Sequence, residues 1–146
     1  MDSGSRGDLI VVRPATSEDV PVLVSFWAVA AENETRSGDG STAVHALLDR
    51  DPEALLVAEL HDEIVGTVVA GWDGWRGHVY RLAVSPRHRR RGIGTALLTA
   101  AEARLRRLGA SRFETMLLDG NELGRSMWEA GGYTAQEEWR RWVKQA

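Results

Sequence analysis

The sequence predicts a mixed α/β domain with elements in the order β-α-α-β-β-β-α-β-α-β, and three observations carry that prediction. Apolar residues recur at two periods, alternating in some segments and spaced by three and four in others. Three β-rich runs between residues 54 and 85 are joined by short polar turns, the pattern of an antiparallel meander. The chain of 146 residues has the size of one domain with a full hydrophobic core. Residues 1–8, polar and glycine-rich, are expected to be a flexible N-terminus, leaving 9–146 as a single domain.

LIVVR (9–13) reads as the first strand. Thr16, followed three residues later by Asp19, has the spacing of a capping box, and Pro21 is tolerated in a first helical turn. Val20, Leu23, Val24, Trp27 and Ala31 then recur on one helical face, which predicts an amphipathic helix over 17–31. ENETRSGDGS (32–41) is a polar loop, and a short helix over 42–50 buries Val44, Leu47 and Leu48. ALLVAEL (54–60) and EIVGTVVAGW (63–72) form a hairpin about His61 and Asp62, with HVYRLAVS (78–85) as its third member. Leu97, Leu98, Ala101, Leu105 and Leu108 mark the buried stripe of the next helix. Arg104, Arg106 and Arg107 lie near its C-terminus, and Gly109 supplies its cap. RFETMLL (112–118) is a further strand, residues 121–130 a short helix stopped by Gly131 and Gly132, and EEWRRWVK near the end a last strand.

Composition removes several classes of function. Cysteine is absent, which excludes disulfides, thiolate metal sites and cysteine nucleophiles and leaves the cytoplasm as the default compartment. MDSGSRGD has no apolar signal-peptide core, and VPVLVSFWAVAA is too short to span a bilayer, so no membrane association is expected. The net charge of −3 speaks against nucleic-acid binding, which needs a broad basic face. Four scattered histidines lack the spacing of a zinc site, and no metal is expected.

Against that negative background SPRHRRRGIGTALL (85–98) is conspicuous, with Arg87, His88, Arg89, Arg90 and Arg91 just ahead of Gly92-Ile93-Gly94. The first turn of a helix presents unpaired N–H groups and the positive end of its dipole. Gly92 and Gly94 have no side chain to keep an anion from the backbone. A diphosphate cradle rimmed by arginines is the reading that follows. The loop is not a Walker motif, since no Gly-Lys-Ser/Thr follows, and G-x-G-x-x-G fails at Leu97.

Arg89-x-x-Gly92-x-Gly94 resembles the Arg/Gln-x-x-Gly-x-Gly/Ala signature of the GCN5-related N-acetyltransferases, the GNAT superfamily. A strand ending Leu82-Ala83-Val84-Ser85-Pro86 precedes it, as in that family. NELGRSMWEAGGY (121–133) is similar to the family's Asn-x-x-Ala-x-x-Leu-Tyr-Glu-Lys-x-Gly-Phe. The resemblance covers about residues 9–144. It implies a mostly antiparallel central sheet flanked by helices, acetyl-CoA as acyl donor, and a primary amine of a small molecule or peptide as acceptor, attacking directly in a ternary complex. Position by position, the amides of Arg91, Gly92, Ile93, Gly94 and Thr95 would hold the diphosphate, with Arg89 and Arg90 flanking it. The backbone of Leu82, Ala83 and Val84 would pair with the pantetheine arm like an added strand. Asn121 would contact the arm or orient the helix beside it.

The same alignment puts His78 where many members carry a glutamate base. A base matters because an alkyl ammonium has a pKa of about 10.4, leaving little neutral amine near pH 7; a histidine at its ordinary pKa of about 6.5 can accept the proton. A surface histidine beside a turn is the plainer reading of the same residue. Trp128 departs from the family, standing where a tyrosine usually serves the leaving thiolate; an indole N–H cannot supply a proton at neutral pH. Packing is therefore its expected role, and Tyr133 or solvent is left to protonate the thiol. Glu32, Glu34 and Asp39 could draw a cationic amine, or could be an ordinary solvated loop. Trp72, Trp75, Trp139 and Trp142 could wall a cleft, or belong to the core or to a homodimer interface. Two alternatives to a small-amine transferase stay open: a non-catalytic acyl-CoA-binding module, and a protein N-terminal or lysine acetyltransferase.

Overall fold

The structure, a computed structural model, describes residues 9–30 and 40–146. The expected flexible N-terminus, Ala31 and the loop carboxylates Glu32, Glu34 and Asp39 lie outside the described residues. Strand β1 (Val11–Pro14) leads through a single 3-10 turn (Ser17–Asp19) into α1 (Val20–Ala30), and α2 (Ser41–Arg50) follows. The meander β2 (Leu55–Leu60), β3 (Glu63–Trp72) and β4 (Gly77–Val84) comes next. A second 3-10 turn (Pro86–His88) precedes α3 (Ile93–Leu108), β5 (Phe113–Glu114) and α4 (Glu122–Ala130). The five strands form one sheet in chain order, β1-β2-β3-β4-β5. Its first four members are antiparallel, and β5 lies parallel to β4. This is the mixed, mostly antiparallel sheet flanked by helices that the sequence predicts.

Local chemistry accounts for the boundaries. The Thr16 backbone N–H donates to Asp19 at 2.8 Å, closing the capping box at the entry to α1. At the β2–β3 turn His61 and Asp62 both take left-handed angles, φ 53° and 61°, as a two-residue type I′ hairpin requires. Gly109, at φ 112°, caps α3. The sheet is covered on both faces, which explains why β2 is apolar at every position but Glu59. Leu56, Ala58 and Leu60 join Ile93, Leu97, Ala101 and Leu105 of α3 on one face. Leu55 and Val57 join Leu23 and Trp27 of α1 and Val44 and Leu48 of α2 on the other. No helix among the described residues is long and apolar enough to cross a membrane.

Three details differ from the sequence reading. Residues 134–146 carry no strand, and Trp142 is 92% exposed. Its apolar residues, Trp139, Trp142 and Val143, do not alternate with the charged ones, so no one-faced strand can bury them. Strand β5 is ladder-bonded only at Phe113 and Glu114, although Phe113 and Leu117 still face the α3 side of the core. On α3, Leu108 is exposed while Arg104 is buried and donates to Asp51 at 2.5 Å. An arginine stem can fill an apolar stripe when its head finds a carboxylate, and periodicity alone does not show that.

Candidate active site

The basic loop has the build of an anion cradle. Pro86 opens the 3-10 turn at its first position. Arg89 is extended, Arg90 and Gly92 take left-handed angles of 66° and 79°, and α3 starts at once. The first intrahelical bond runs from Ala96 N–H to the Gly92 carbonyl at 3.0 Å, so the amides of Ile93, Gly94 and Thr95 have no helical acceptor. A Cβ on Gly92 would meet no atom within 4 Å; the space beside the loop is open. Gly94 serves a different purpose, for a Cβ there would lie 3.0 Å from the Met127 sulfur of α4. Its bare backbone lets α4 approach the start of α3. Arg87 and Arg89–91 lie exposed around the loop or at its edge, while the Nδ1 of His88 is buried and has no hydrogen-bond partner.

Beside the cradle β4 is bent by a bulge. Thr67 pairs with Ala83 and Val69 with Tyr80, so Arg81 and Leu82 together face the single residue Val68. Arg81 carries the distortion at φ 56°. The extra residue changes the phase of the strand. Val79, Leu82 and Val84 all turn to the α3 side, whereas Ala83 joins the α1 side. The β4–β5 ladder ends at His78–Glu114, leaving the outer edge of β4 beyond His78 without a strand partner among the described residues. The Ser85 N–H bonds to the Val65 carbonyl at 2.8 Å. By strand alternation the backbone groups of Val84 and Leu82 therefore point to that open edge. The edge runs directly into the cradle.

The remaining sequence-predicted residues fall into place with mixed results. His78 shares the non-α3 side of β4 with Tyr80, its side chain 45% exposed and 3.9 Å from both Asp73 and Glu114. Asp73 accepts the backbone N–H groups of Arg76 and Trp75, which hold its carboxyl below the usual range. His78 precedes Leu82 on β4, and the Arg81 bulge lies between them. Burial pushes the Tyr80 phenol up. Trp128 is 7% exposed, part of the α3-side core, and meets Tyr133 edge-on at 4.8 Å between centroids. Tyr133 donates to Glu102 at 2.8 Å, and burial together with that bond raises its phenol well above the usual tyrosine range. Both rings are engaged within the fold, Trp128 in the core and Tyr133 on Glu102. Asn121 caps α4, its Oδ1 accepting from Gly124 N–H at 2.9 Å.

The four tryptophans singled out as cleft walls do not come together. Trp72 packs on the α3-side core, and Trp75, Trp139 and Trp142 are exposed. The aromatic side chain that does reach the bulge is Trp27. Its Nε1–H donates to Thr67 Oγ1 at 2.9 Å, Thr67 donates to the Arg81 carbonyl at 2.8 Å, and the Arg81 guanidinium lies 5.2 Å from the Trp27 ring centre. Sequence reasoning took Trp27 as a core residue and passed over Thr67; their spacing gives no sign of the link.

A family model described as the acetyltransferase (GNAT) family matches residues 23–133. The chain belongs to that family. It is 36% identical over 126 residues to "Acetyltransferase SG1711" of Sodalis glossinidius, an alignment covering 86% of this chain and 88% of the relative. The fold is similar to that of the aminoglycoside acetyltransferase meta-AAC0020 from an uncultured soil metagenomic sample, in complex with trehalose. That match has TM-score 0.73 and 19% identity over 94% of this chain and 96% of the other. A predicted acetyltransferase from Clostridium acetobutylicum, with acetyl-CoA, has TM-score 0.73 and 17% identity over 92% and 96% of the two chains. This GNAT protein is thus an acyltransferase by family, and the resemblance carried by residues 82–95 and 121–133 is confirmed at that level.

Proposed function

We propose that this GNAT protein transfers the acetyl group of acetyl-CoA to a primary amine of a small molecule or peptide, by direct attack within a ternary complex. One observation carries the reading: the edge of β4 at Leu82 and Val84, without a strand partner among the described residues, leads straight into the open cradle at Gly92. An extended pantetheine arm can add to the edge as a strand, and its diphosphate then reaches the amides of residues 91–95. Arg89, Arg90 and Arg91 supply compensating charge. Asn121 acts through the helix it caps. Acetyl-CoA supplies the activated acyl group; the fold-level neighbour with acetyl-CoA supports that donor, and the aminoglycoside acetyltransferase supports an amine acceptor.

The chain's own part is to hold the donor and to remove the amine's proton. His78, exposed and flanked by Asp73 and Glu114, takes that proton through water, given its distance along the strand from Leu82. Trp128 and Tyr133 are committed to packing and to Glu102. The thiolate therefore leaves without a tyrosine acid. Taking a thiol pKa of about 8.5, this forgoes about 2 kcal/mol at pH 7, a deficit that solvent protonation covers.

Gly92→Val tests the cradle. The substitution strains a left-handed position and fills space that the diphosphate needs. Calorimetric affinity for CoA should fall at least tenfold, with thermal melting used to show that the fold survives. Unchanged affinity would remove the cradle assignment. Thiol release across a panel of polyamines, aminoglycosides and peptides would identify the acceptor class, and no release with any of them would overturn the small-amine reading.

A further inference from the structure

Thr67 is fully buried, and apart from Arg104 no other polar or charged residue is buried among the described residues. Its hydrogen bonds can run in only one direction. An indole N–H donates only and a carbonyl accepts only. The Thr67 hydroxyl must therefore accept from Trp27 and give its proton to Arg81. The bulge displaces the Arg81 carbonyl from the regular ladder, and a buried carbonyl needs a partner; Thr67 provides one from the neighbouring strand. Trp27 grips the same residue twice, through Thr67 to its backbone and through its ring to the guanidinium. Helix α1 is thereby coupled to the one residue that sets the course of β4 beside the open edge.

We infer that Thr67 and Trp27 are positioning residues for acyl transfer, fixing the Arg81 bulge so that the backbone of Leu82 faces the donor. This rests on the proposed use of the β4 edge by acetyl-CoA. Thr67→Val keeps the volume and branching while deleting the hydroxyl. Thr67→Ser restores the hydroxyl, and Trp27→Phe deletes only the indole N–H and part of the ring. Two measurements on the full chain are informative together: amide hydrogen exchange over residues 79–84 without ligand, and CoA affinity by calorimetry. Thr67→Val should accelerate exchange there at least tenfold and weaken CoA binding by roughly tenfold. A role in packing alone would instead spread the exchange change across the α1-side core. Thr67→Ser should stay within about threefold of wild type in both. Should Thr67→Val fail to fold, Trp27→Phe must reproduce both effects in smaller measure.

Wild-type CoA affinity in a folded Thr67→Val protein, or in Trp27→Phe if only that variant folds, would overturn the inference while leaving the cradle intact. A wild-type protein that fails to bind CoA would overturn the proposed function and this inference with it.

Discussion

Arg81 and Arg90 hold left-handed backbone angles of 56° and 66°, a conformation that costs a residue with a side chain about 1–2 kcal/mol. His61 and Asp62 share it, but there a two-residue hairpin demands it. No hairpin demands it of the arginines. One sits beside the open edge and the other on the rim of the cradle, and strain kept at a site points to use there. Nothing in YRLAV marks the bulge in the sequence, because the partner that stabilises it, Thr67, reads as one more β-branched residue in EIVGTVVAGW. Chemistry that depends on motif was legible: Gly92 and the arginines declare an anion site whatever the tertiary structure. His78 is an intermediate case, found by alignment and given carboxylate neighbours only by the fold. If it takes the amine's proton, kcat/KM should fall on the acidic side once the imidazole is protonated, since imidazolium has no lone pair to accept with. His78→Gln should lose that acidic limb and run roughly 10²-fold slower with CoA affinity unchanged. A pH–rate profile in which the variant matches wild type would assign the base elsewhere.

At the scale of elements, β1, the entry to α1 and β2 are tied by one arginine. Arg13 donates to Asp19 at 2.8 and 3.0 Å and also to Glu59. The Arg13 bond is the largest cause holding the Asp19 carboxyl below its ordinary value, with the Thr16 backbone N–H adding to it. A carboxyl whose pKa is lowered by folding stabilises the native state above its unfolded pKa of about 3.9. That stability is lost as pH falls through the lower folded value. Asp19→Asn should therefore cost up to about 1 kcal/mol in urea unfolding at pH 7, because it removes the charge that pairs with Arg13. The gap should narrow below about pH 3.9 as wild-type Asp19 takes up its proton. A gap of equal size at pH 7 and pH 3 would show that the charge plays no part. This capping box was readable from Thr16 and Asp19 alone, as was the hairpin from its two-residue turn. The absence of the expected final strand was not, because β-propensity in EEWRRWVK says nothing about whether a sheet edge will receive it.

Over the whole molecule a net charge of −3 surrounds a single loop that concentrates Arg87, Arg89, Arg90 and Arg91. The two cores on either side of the sheet meet through β2 and β3, and the loop emerges where β4 leaves that frame to start α3. Rigid packing thus ends where charge begins, which gives donor binding two separable parts. The backbone part depends on the bulge and the helix start; it is short-ranged and almost indifferent to salt. The arginine part acts through solvent from exposed side chains, and screening shortens its reach from about 10 Å at 0.1 M salt to about 3 Å at 1 M. CoA affinity should accordingly weaken by roughly tenfold between 0.05 and 0.5 M sodium chloride, then level off rather than vanish. Arg90→Ala should bind more weakly at low salt and show a shallower dependence, converging on wild type at high salt. Thr67→Val should shift the whole curve without altering its slope, because it disturbs the edge and leaves the charges in place. Calorimetry across a salt series for the three proteins distinguishes these shapes. An affinity that does not change with salt in wild type would show that the arginines contribute nothing to the cradle.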